Sequence, residues 1–393
     1  MRDLRVTWQI LTTVFFNLVV YFLIGLPLAV LPGYVHFTLG YSATLAGFFI
    51  SLQYVAALLS RSAVGKVADS RGPKWAVLGG LGCTAVSGLC LAATGGTGAA
   101  PVWLLLWLGL SRLWMGAGES GSGTGCIAWG IGRAGDAHTA EVISWNGVAS
   151  YGGIALGAPV GVMLNHLGGL PAIGLTTFLL SSGALLLCCF RAATPLTLGA
   201  RLGFRRVFLR VFPYGMTLAL GSIGFGTIVA FITLFYASHG WRGAAYALST
   251  FGLAFVAVRI FFSGAIRRFG GFRASMVSLA VEATGLILLW LAHAPWLALL
   301  GTTLTGLGMS LIFPAMAVEA LRTVPAANRG AAVGAYTIFL DVSLGATGPL
   351  AGLVIGRYGE AAVFLLPAGA AVCAGLLCLF LYRTASGDVP ASA

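Results

Sequence analysis

Charged side chains are scarce in this chain: only 8% of its 393 residues are Asp, Glu, Lys or Arg, and ten of these are acidic. Water-soluble proteins contain about 25% charged residues. With 59% apolar residues and a mean hydropathy of +0.96, the composition excludes a soluble domain, a disordered chain and a coiled coil. It is typical of a chain that lies mostly in hydrocarbon, where ionised groups are costly.

The sequence also lacks a pattern of metal-binding or disulfide-forming residues. All seven cysteines fall inside apolar stretches, and the five histidines lie in or next to polar breaks, which predicts no metal site and no cofactor. The excess of 22 basic over ten acidic residues would suggest nucleic acid in a soluble chain. Because the basic residues are spread out between apolar stretches, they indicate membrane topology and no nucleic-acid partner.

Apolar stretches of the length needed to cross a bilayer dominate the chain. A membrane-spanning helix needs about twenty apolar residues, and the polar and Gly/Pro-rich breaks separate twelve such stretches. They are predicted at 8–33, 42–64, 74–95, 101–124, 140–164, 170–190, 211–237, 243–264, 273–293, 296–319, 331–356 and 361–383. The first stretch is too long for a signal-peptide core and is predicted to be a helix.

The loop charges predict the orientation in the membrane. An even number of crossings places both termini on one side, and nearly all loop arginines and lysines fall on that side. Only Arg242 and Arg357 lie in the opposite loops. Because basic loops stay in the cytoplasm, we expect a multi-pass protein of the inner (cytoplasmic) membrane with both termini cytoplasmic.

Two halves of the chain resemble one another. The run Gly65–Gly72 corresponds to Gly264–Gly271, and Gly157–Gly161 corresponds to Gly348–Gly352, in each case six predicted helices apart. We therefore predict an N-terminal six-helix bundle over 1–190, a cytoplasmic linker over 191–210 and a C-terminal six-helix bundle over 211–393. Such a duplication is typical of secondary transporters, whose site lies between the halves near the bilayer midplane.

Several motifs resemble those of one transporter family. The loop from Gly65 to Lys74 is similar to the helix 2–3 signature of the major facilitator superfamily, and Arg112-x-x-x-Gly116-x-Gly118 resembles its second motif. The run from Gly153 to Gly161 resembles the antiporter motif of its drug/proton efflux branch. Further runs resemble a bacterial arabinose-efflux-like subgroup; they begin at Gly118, Trp129, Ser144, Phe313 and Arg329. The resemblance implies an all-α membrane fold of twelve transmembrane helices in two pseudo-symmetric bundles.

Four acidic residues lie within predicted helices, and an intramembrane carboxylate is a candidate for binding and releasing protons. Glu119 and Asp341 are the deepest, on helices that line the cavity in the superfamily. Arg112 lies two helical turns before Glu119 and therefore projects from nearly the same face. These three residues are the predicted proton-coupling site; the alternative for Arg112 and Glu119 is a permanent, electrically silent pair.

The other two intramembrane acids are predicted to be structural. Glu319 can pair with Arg322, and Glu282 can pair with Arg259 or with a polar group. Polar and aromatic residues of the cavity-lining helices are the candidate substrate contacts. These candidates are Asn17, Tyr21, Gln53, Asn146, Tyr151, Tyr236 and Tyr336.

The resemblance also implies residues that gate the conformational change. Asp69 is expected to help lock the two halves on the cytoplasmic side, the alternative being a solvated turn charge. Small residues and prolines can serve helix packing, helix bending or both. The gating candidates are Gly65, Asp69, Arg71, Gly72, Gly157, Pro159, Gly348 and Pro349.

Together these features predict a secondary active transporter that moves a small organic solute, a sugar or an amphipathic compound, by alternating access. Proton-coupled efflux by a monomer in the lipid bilayer is the expected mode, with protons and the solute as partners. A proton-driven or facilitative importer is the alternative. A polytopic sensor or enzyme would need an added domain or a catalytic constellation, and the sequence contains neither.

Overall fold

The apolar stretches fold as helices because hydrocarbon offers backbone N–H and C=O groups no other partner. The computed structural model describes residues 2–95, 101–135, 138–194, 204–262, 264–324 and 329–387. Within these ranges it contains eleven long helices and no strand. The long helices are α1 (Arg2–Leu28), α2 (Ala43–Ser70), α3 (Pro73–Ala92), α4 (Pro101–Ala134), α5 (Thr139–Cys189), α6 (Phe204–Ser238), α7 (Ala244–Phe261), α8 (Gly271–Trp290), α9 (Pro295–Arg322), α10 (Arg329–Tyr358) and α11 (Leu365–Gly387).

Short helical segments lie between the long helices. Leu31–Gly33 and the π-helix Tyr34–Thr38 follow α1, and Ala265–Phe269 precedes α8. The 3₁₀ segment Ala93–Gly95 follows α3, and a second 3₁₀ segment, Ala361–Phe364, precedes α11.

Several helix boundaries differ from the predicted ones; α4, for example, ends at Ala134 and not at 124. Two of the differences change how the chain is divided. The fifth and sixth predicted helices form the single 51-residue segment α5, which is broken where Gly168 and Gly169 have non-helical backbone angles. Gly169 has φ +66°, a conformation that glycine adopts without a Cβ clash. The seventh predicted helix was expected to start at 211, but α6 begins at Phe204, so the end of the predicted linker is helical.

Ten helices among the described residues are long and apolar enough to cross a membrane. The two parts of α5, before and after the break at Gly168 and Gly169, form one of these ten helices. The helix α4, which carries Arg112 and Glu119, is not among the ten. The total of twelve crossings therefore stays a prediction.

The contacts between helices divide the described chain into an N-terminal and a C-terminal group of helices, and these two groups contact each other. On the N-terminal side α1 packs against α4 and α5, α2 against α4, and α3 against α4 and α5. On the C-terminal side α8 packs against α9 and α11, while α6 packs against α9, α10 and α11. The two groups meet where α2 contacts α10 and where α5 contacts α7. The largest cluster of buried apolar side chains crosses this boundary, running from Phe16 to Ala368.

Glycines permit the closest helix approaches. A Cβ on Gly157 would meet the carbonyl oxygen of Phe22, so α5 and α1 are in backbone contact. At the boundary between the groups, Gly47 of α2 and Gly348 of α10 each lie against the other's carbonyl, and Gly348 N donates to Ser51 Oγ at 3.2 Å. These glycines allow packing distances that a side chain would prevent.

Candidate functional site

Glu119 is the acceptor at the centre of a buried polar cluster. It lies on α4 with 8% of its surface exposed. Tyr21 Oη of α1 donates to Glu119 Oε1 at 3.0 Å, and Gln53 Nε2 of α2 donates to Glu119 Oε2 at 2.8 Å. Three helices therefore converge on one carboxyl group, which can accept both hydrogen bonds as a carboxylate.

Arg112 reaches this carboxylate through Gln53. Its Nη1 donates to Gln53 Oε1 at 3.1 Å, while the amide nitrogen of the same glutamine donates to Glu119. Arg112 and Glu119 thus share one site, as their spacing on α4 predicts, but an amide separates the two charges. We call Tyr21, Gln53, Arg112 and Glu119 the first-half cluster.

Asp341 lies in an ion pair that joins the two groups of helices. It is on α10, 3% exposed, and both of its oxygens contact Arg61 of α2. Arg61 Nη2 donates to Asp341 Oδ1 at 2.8 Å, Arg61 Nε binds Oδ2, and Arg61 Nη1 reaches Thr337 Oγ1 at 3.4 Å. A bidentate guanidinium–carboxylate pair is among the stronger charge-assisted contacts. Sequence reasoning missed Arg61; its only signal was an arginine inside a predicted helix without a nearby acid.

Asn17 and Asn146 are also brought together. Asn17 Nδ2 of α1 donates to Ser150 Oγ at 2.9 Å and to the Asn146 carbonyl at 3.3 Å, both on α5. The side-chain oxygens of both asparagines are buried without a hydrogen-bond partner in the described part of the chain. They are available to a donor that the described part of the chain does not supply.

Tyr151 faces the C-terminal group of helices. Its ring stacks on Phe255 of α7 with centroids 3.7 Å apart, and Phe225 and Phe251 complete an aromatic cluster around it. The guanidinium carbon of Arg259 lies 5.1 Å from the Phe255 ring centroid. A cluster of four aromatic rings therefore lies next to the buried guanidinium of Arg259.

Glu282 was predicted to pair with Arg259 or with a polar group, and among the described residues it does neither. Arg259 Nε donates to the Ser310 carbonyl at 2.9 Å. Glu282 is fully buried on α8, and neither of its carboxyl oxygens has a partner among the described residues. The sequence does not show whether two residues on different helices lie at the same depth in the membrane or on helix faces that meet. The pairing of Glu319 with Arg322 is present at 2.9 Å, and Glu319 also accepts from Gly271 N.

Each of the two remaining tyrosine candidates contacts a backbone carbonyl. Tyr236 Oη contacts the Pro295 carbonyl at 3.4 Å near the start of α9. Tyr336 Oη donates to the Phe313 carbonyl at 3.1 Å. Both rings are buried, and their role in substrate binding stays a prediction.

The gating candidates occupy turns and helix interiors. Gly72 ends the turn before α3 with φ +103°, Gly65 has open space around it, and Arg71 is exposed. Pro159 and Pro349 are half-buried inside α5 and α10. The side chain of Asp69 lies outside the described residues, so the predicted lock stays a prediction.

Comparison with known proteins identifies the family. The sequence profile of the Major Facilitator Superfamily matches residues 13–281 and 216–392. An uncharacterized MFS-type transporter of Burkholderia pseudomallei (strain 1106a) is 49% identical over 96% of this chain and 93% of its own length. The uncharacterized MFS-type transporter YhhS of Escherichia coli (strain K12) is 47% identical over 100% of this chain and 97% of its own length.

Solved structures share the fold at low identity. A D-xylose-proton symporter superposes with a TM-score of 0.76 at 15% identity, covering 93% of this chain and 96% of its own. The nucleoside transporter NupG gives a TM-score of 0.73 at 16% identity, covering 95% and 100%. The fold, the apolar helices and the close relatives agree that this chain is a multi-pass membrane transporter, with a site for a small molecule and no enzymatic role, and that it belongs to the major facilitator superfamily.

Proposed function

We propose that the protein is a secondary active transporter that exports a small organic solute in exchange for protons by alternating access. The observation that carries this proposal is the pair of buried carboxylates, Glu119 and Asp341, each held by donors from another helix. Asp341 lies at the contact between the two groups of helices, and Glu119 is bound by α1 and α2 of the N-terminal group. Secondary transporters bind substrate between their two halves.

Proton binding at Asp341 would act on the contact between the groups. Arg61 and Asp341 connect α2 to α10, and a protonated Asp341 loses the charge that holds the guanidinium. A proton would therefore weaken one of the contacts across the boundary. This is the physical link that coupled transport needs, because a bound proton changes the relative energy of two conformations.

Proton binding at Glu119 would rearrange the first-half cluster. Two donors already point at its oxygens, and a protonated carboxyl group accepts more weakly at its hydroxyl oxygen and adds a donor, so at least one of the two contacts would weaken or reverse. Gln53 would transmit that change to Arg112, which it binds with its other end. The alternative, a permanent silent pair, predicts that neutralising Glu119 leaves coupling intact.

The test uses membrane vesicles and two amide variants. Sugars and amphipathic compounds are first ranked by thermal shift in detergent, then by counterflow in proteoliposomes. In inverted vesicles acidified by respiration, adding the substrate should release protons from the lumen. Glu119→Gln and Asp341→Asn should each abolish this release, while counterflow should survive in at least one of them.

The matched control is Glu319→Gln, because Glu319 is also an acid with a basic partner but lies at the end of α9 beside exposed Arg322. It should leave proton release unchanged. Normal release in both amide variants would place the coupling site elsewhere. If the substrate instead carries protons with it into right-side-out vesicles, the protein is a proton-driven importer.

We also propose twelve crossings in two six-helix halves, a monomer in the inner membrane, and cytoplasmic termini. Lys74 at the start of α3 donates to the carbonyls of Cys189 and Arg191 at the end of α5, so these basic residues share one end of the bundle. The exposed thiol of Cys189 should resist a membrane-impermeant reagent in intact cells and react after permeabilisation. Cys189→Ser should remove that signal, and labelling from outside would overturn the orientation.

A further inference from the structure

Three arginines on membrane-embedded helices differ in their partners. Arg61 binds Asp341 directly, and Arg112 reaches Glu119 through Gln53. Arg259 is 5% exposed on α7 and contacts no carboxylate among the described residues. It is therefore a buried cation for which the described chain supplies no counter-ion.

The groups that surround Arg259 satisfy it only in part. Its Nε donates to the Ser310 carbonyl, and its guanidinium lies over the Phe255 ring. Its Nη1 is buried without a hydrogen-bond partner in the described part of the chain. A guanidinium stays charged in a protein interior, and a buried charge without a counter-ion is strongly destabilising. A membrane protein that retains such a group is expected to use it for a ligand.

The guanidinium faces the opposite group of helices. A Cβ built on Gly147 of α5 would lie 3.4 Å from Cζ, Nη1 and Nη2 of Arg259, so no side chain of that residue covers the cation. The preceding residue of α5, Asn146, is also buried, and its Oδ1 has no hydrogen-bond partner in the described part of the chain. Arg259 therefore lies at the boundary between α5 and α7, where alternating access exposes and closes a site.

The surface beside Arg259 is aromatic. Tyr151 stacks on Phe255, and Phe225 lies 5.2 Å from the Tyr151 ring centroid. A ligand that meets the guanidinium with an anionic group would place its remaining atoms against these rings. This favours an anion with an apolar body over an inorganic ion or a neutral sugar.

We propose that Arg259 is the substrate's anion-binding residue and that the transported solute is an organic carboxylate with an apolar body. This rests on the proposed transport function and names its substrate class. The carboxylate forms a charge-assisted contact with the free edge of the guanidinium. The bound substrate thereby supplies the counter-ion that the described chain lacks.

The test compares acids with neutral molecules of the same shape. The full-length protein in detergent is melted at neutral pH with acetate, butyrate, benzoate or phenylacetate, and in parallel with the primary amide of each acid. At least one acid should raise the melting temperature more than its amide does, because a ligand that binds only the folded state stabilises it. Arg259→Gln should weaken binding of that acid by about tenfold or more, the change expected from losing a hydrogen bond to a charged group.

Two further variants keep the result decisive. Arg210→Gln is the matched control, since Arg210 also donates to a backbone carbonyl, that of Thr323, but is exposed; it should leave acid binding unchanged. Arg259→Lys keeps the positive charge but loses the planar set of N–H donors that a guanidinium offers to a carboxylate, so it should bind the acid more weakly than the wild type. This variant decides the matter if Arg259→Gln does not fold.

The inference is overturned if no acid exceeds its amide, or if the Arg259 variants bind the acid as the wild type does. Its failure is distinguishable from failure of the proposed function. Proton-coupled transport of a neutral solute without acid binding would refute this inference alone. Arg259-dependent acid binding in a protein whose Glu119 and Asp341 amide variants still couple normally would refute the proton-coupling site alone.

Discussion

The charged groups of the first-half cluster and those of the second half are all buried, but they differ in how well their hydrogen bonds are satisfied. Arg112 Nε, like Arg259 Nη1, has no partner in the described part of the chain, so the difference lies in the contacts to the carboxylates. Glu119 accepts two hydrogen bonds and Arg112 donates to the amide between them. In the second half Glu282 has no partner among the described residues, and Arg259 has a carbonyl and a ring but no carboxylate. Burial alone therefore does not distinguish a structural polar group from one that is available to a ligand or a proton.

The difference also separates two energetic situations. A group of buried charges that are joined by hydrogen bonds is costly to disrupt, because removing one member leaves the others buried and unpaired. An already unpaired group carries its desolvation cost in the native state, so removing it can be neutral or favourable. Stability measurements on matched variants can tell the two situations apart.

The largest effect is expected at Gln53, the residue that connects Arg112 to Glu119. Gln53→Leu leaves both charged groups without their shared partner and should lower the free energy of unfolding by about 3–5 kcal/mol. Reversible unfolding in mixed detergent micelles measures this loss. Ser343→Ala is the control, because Ser343 donates to the Ala219 carbonyl on another helix, a neutral hydrogen bond whose loss costs about 1 kcal/mol. Equal losses in the two variants would contradict the idea of a connected cluster.

A smaller effect is expected at the ion pair between the two groups of helices. Arg61→Gln leaves Asp341 buried without its cation, but the Arg61 side chain is 24% exposed, so the expected loss is about 2–3 kcal/mol. The double variant Arg61→Gln with Asp341→Asn should recover part of this loss, because no unpaired charge remains. The same unfolding assay gives the coupling energy, and strictly additive losses would show that the pair contributes nothing.

Replacement of Glu282 should have the opposite sign. Glu282→Met removes an unpartnered carboxyl group while keeping an unbranched side chain next to Gly224 and Gly308. Unfolding should become harder by about 1–2 kcal/mol or stay unchanged, since a well-packed apolar residue replaces an unsatisfied polar one. Glu282→Gln, which retains polar atoms in the same shape, should bring no such gain. A clear loss of stability in Glu282→Met would reveal a partner for this carboxyl group.

The smallest effect concerns a feature that the two halves share. Gly72 and Gly270 precede α3 and α8 with φ values of +103° and +84°. Alanine at either position should cost about 1–2 kcal/mol, because a Cβ disfavours positive φ. Gly79→Ala, inside α3 with open space around it, should be neutral or stabilising. Thermal unfolding in detergent compares the three, and unequal costs at Gly72 and Gly270 would break the equivalence of the two turns.

Much of the helical architecture was predictable from local properties. The apolar stretches, their polar breaks and the repeated glycine runs indicated helices and a duplicated chain, since hydrocarbon leaves the backbone few other choices. The shared face of Arg112 and Glu119 followed from seven residues of helical spacing. Both properties depend on residues that are close in the chain, and the family motifs are short for the same reason.

The partners of the buried charges depended instead on how distant helices meet. Arg61 and Asp341 are 280 residues apart in the chain, and nothing in either segment indicates the other. The pairing of Glu282 with Arg259 was expected from charge alone. Arg259 instead contacts the Ser310 carbonyl and the Phe255 ring, and Glu282 has no partner among the described residues. Periodicity places a residue on a helix face, whereas the choice of partner is made when helices pack, because each buried charge must be matched within a few ångströms.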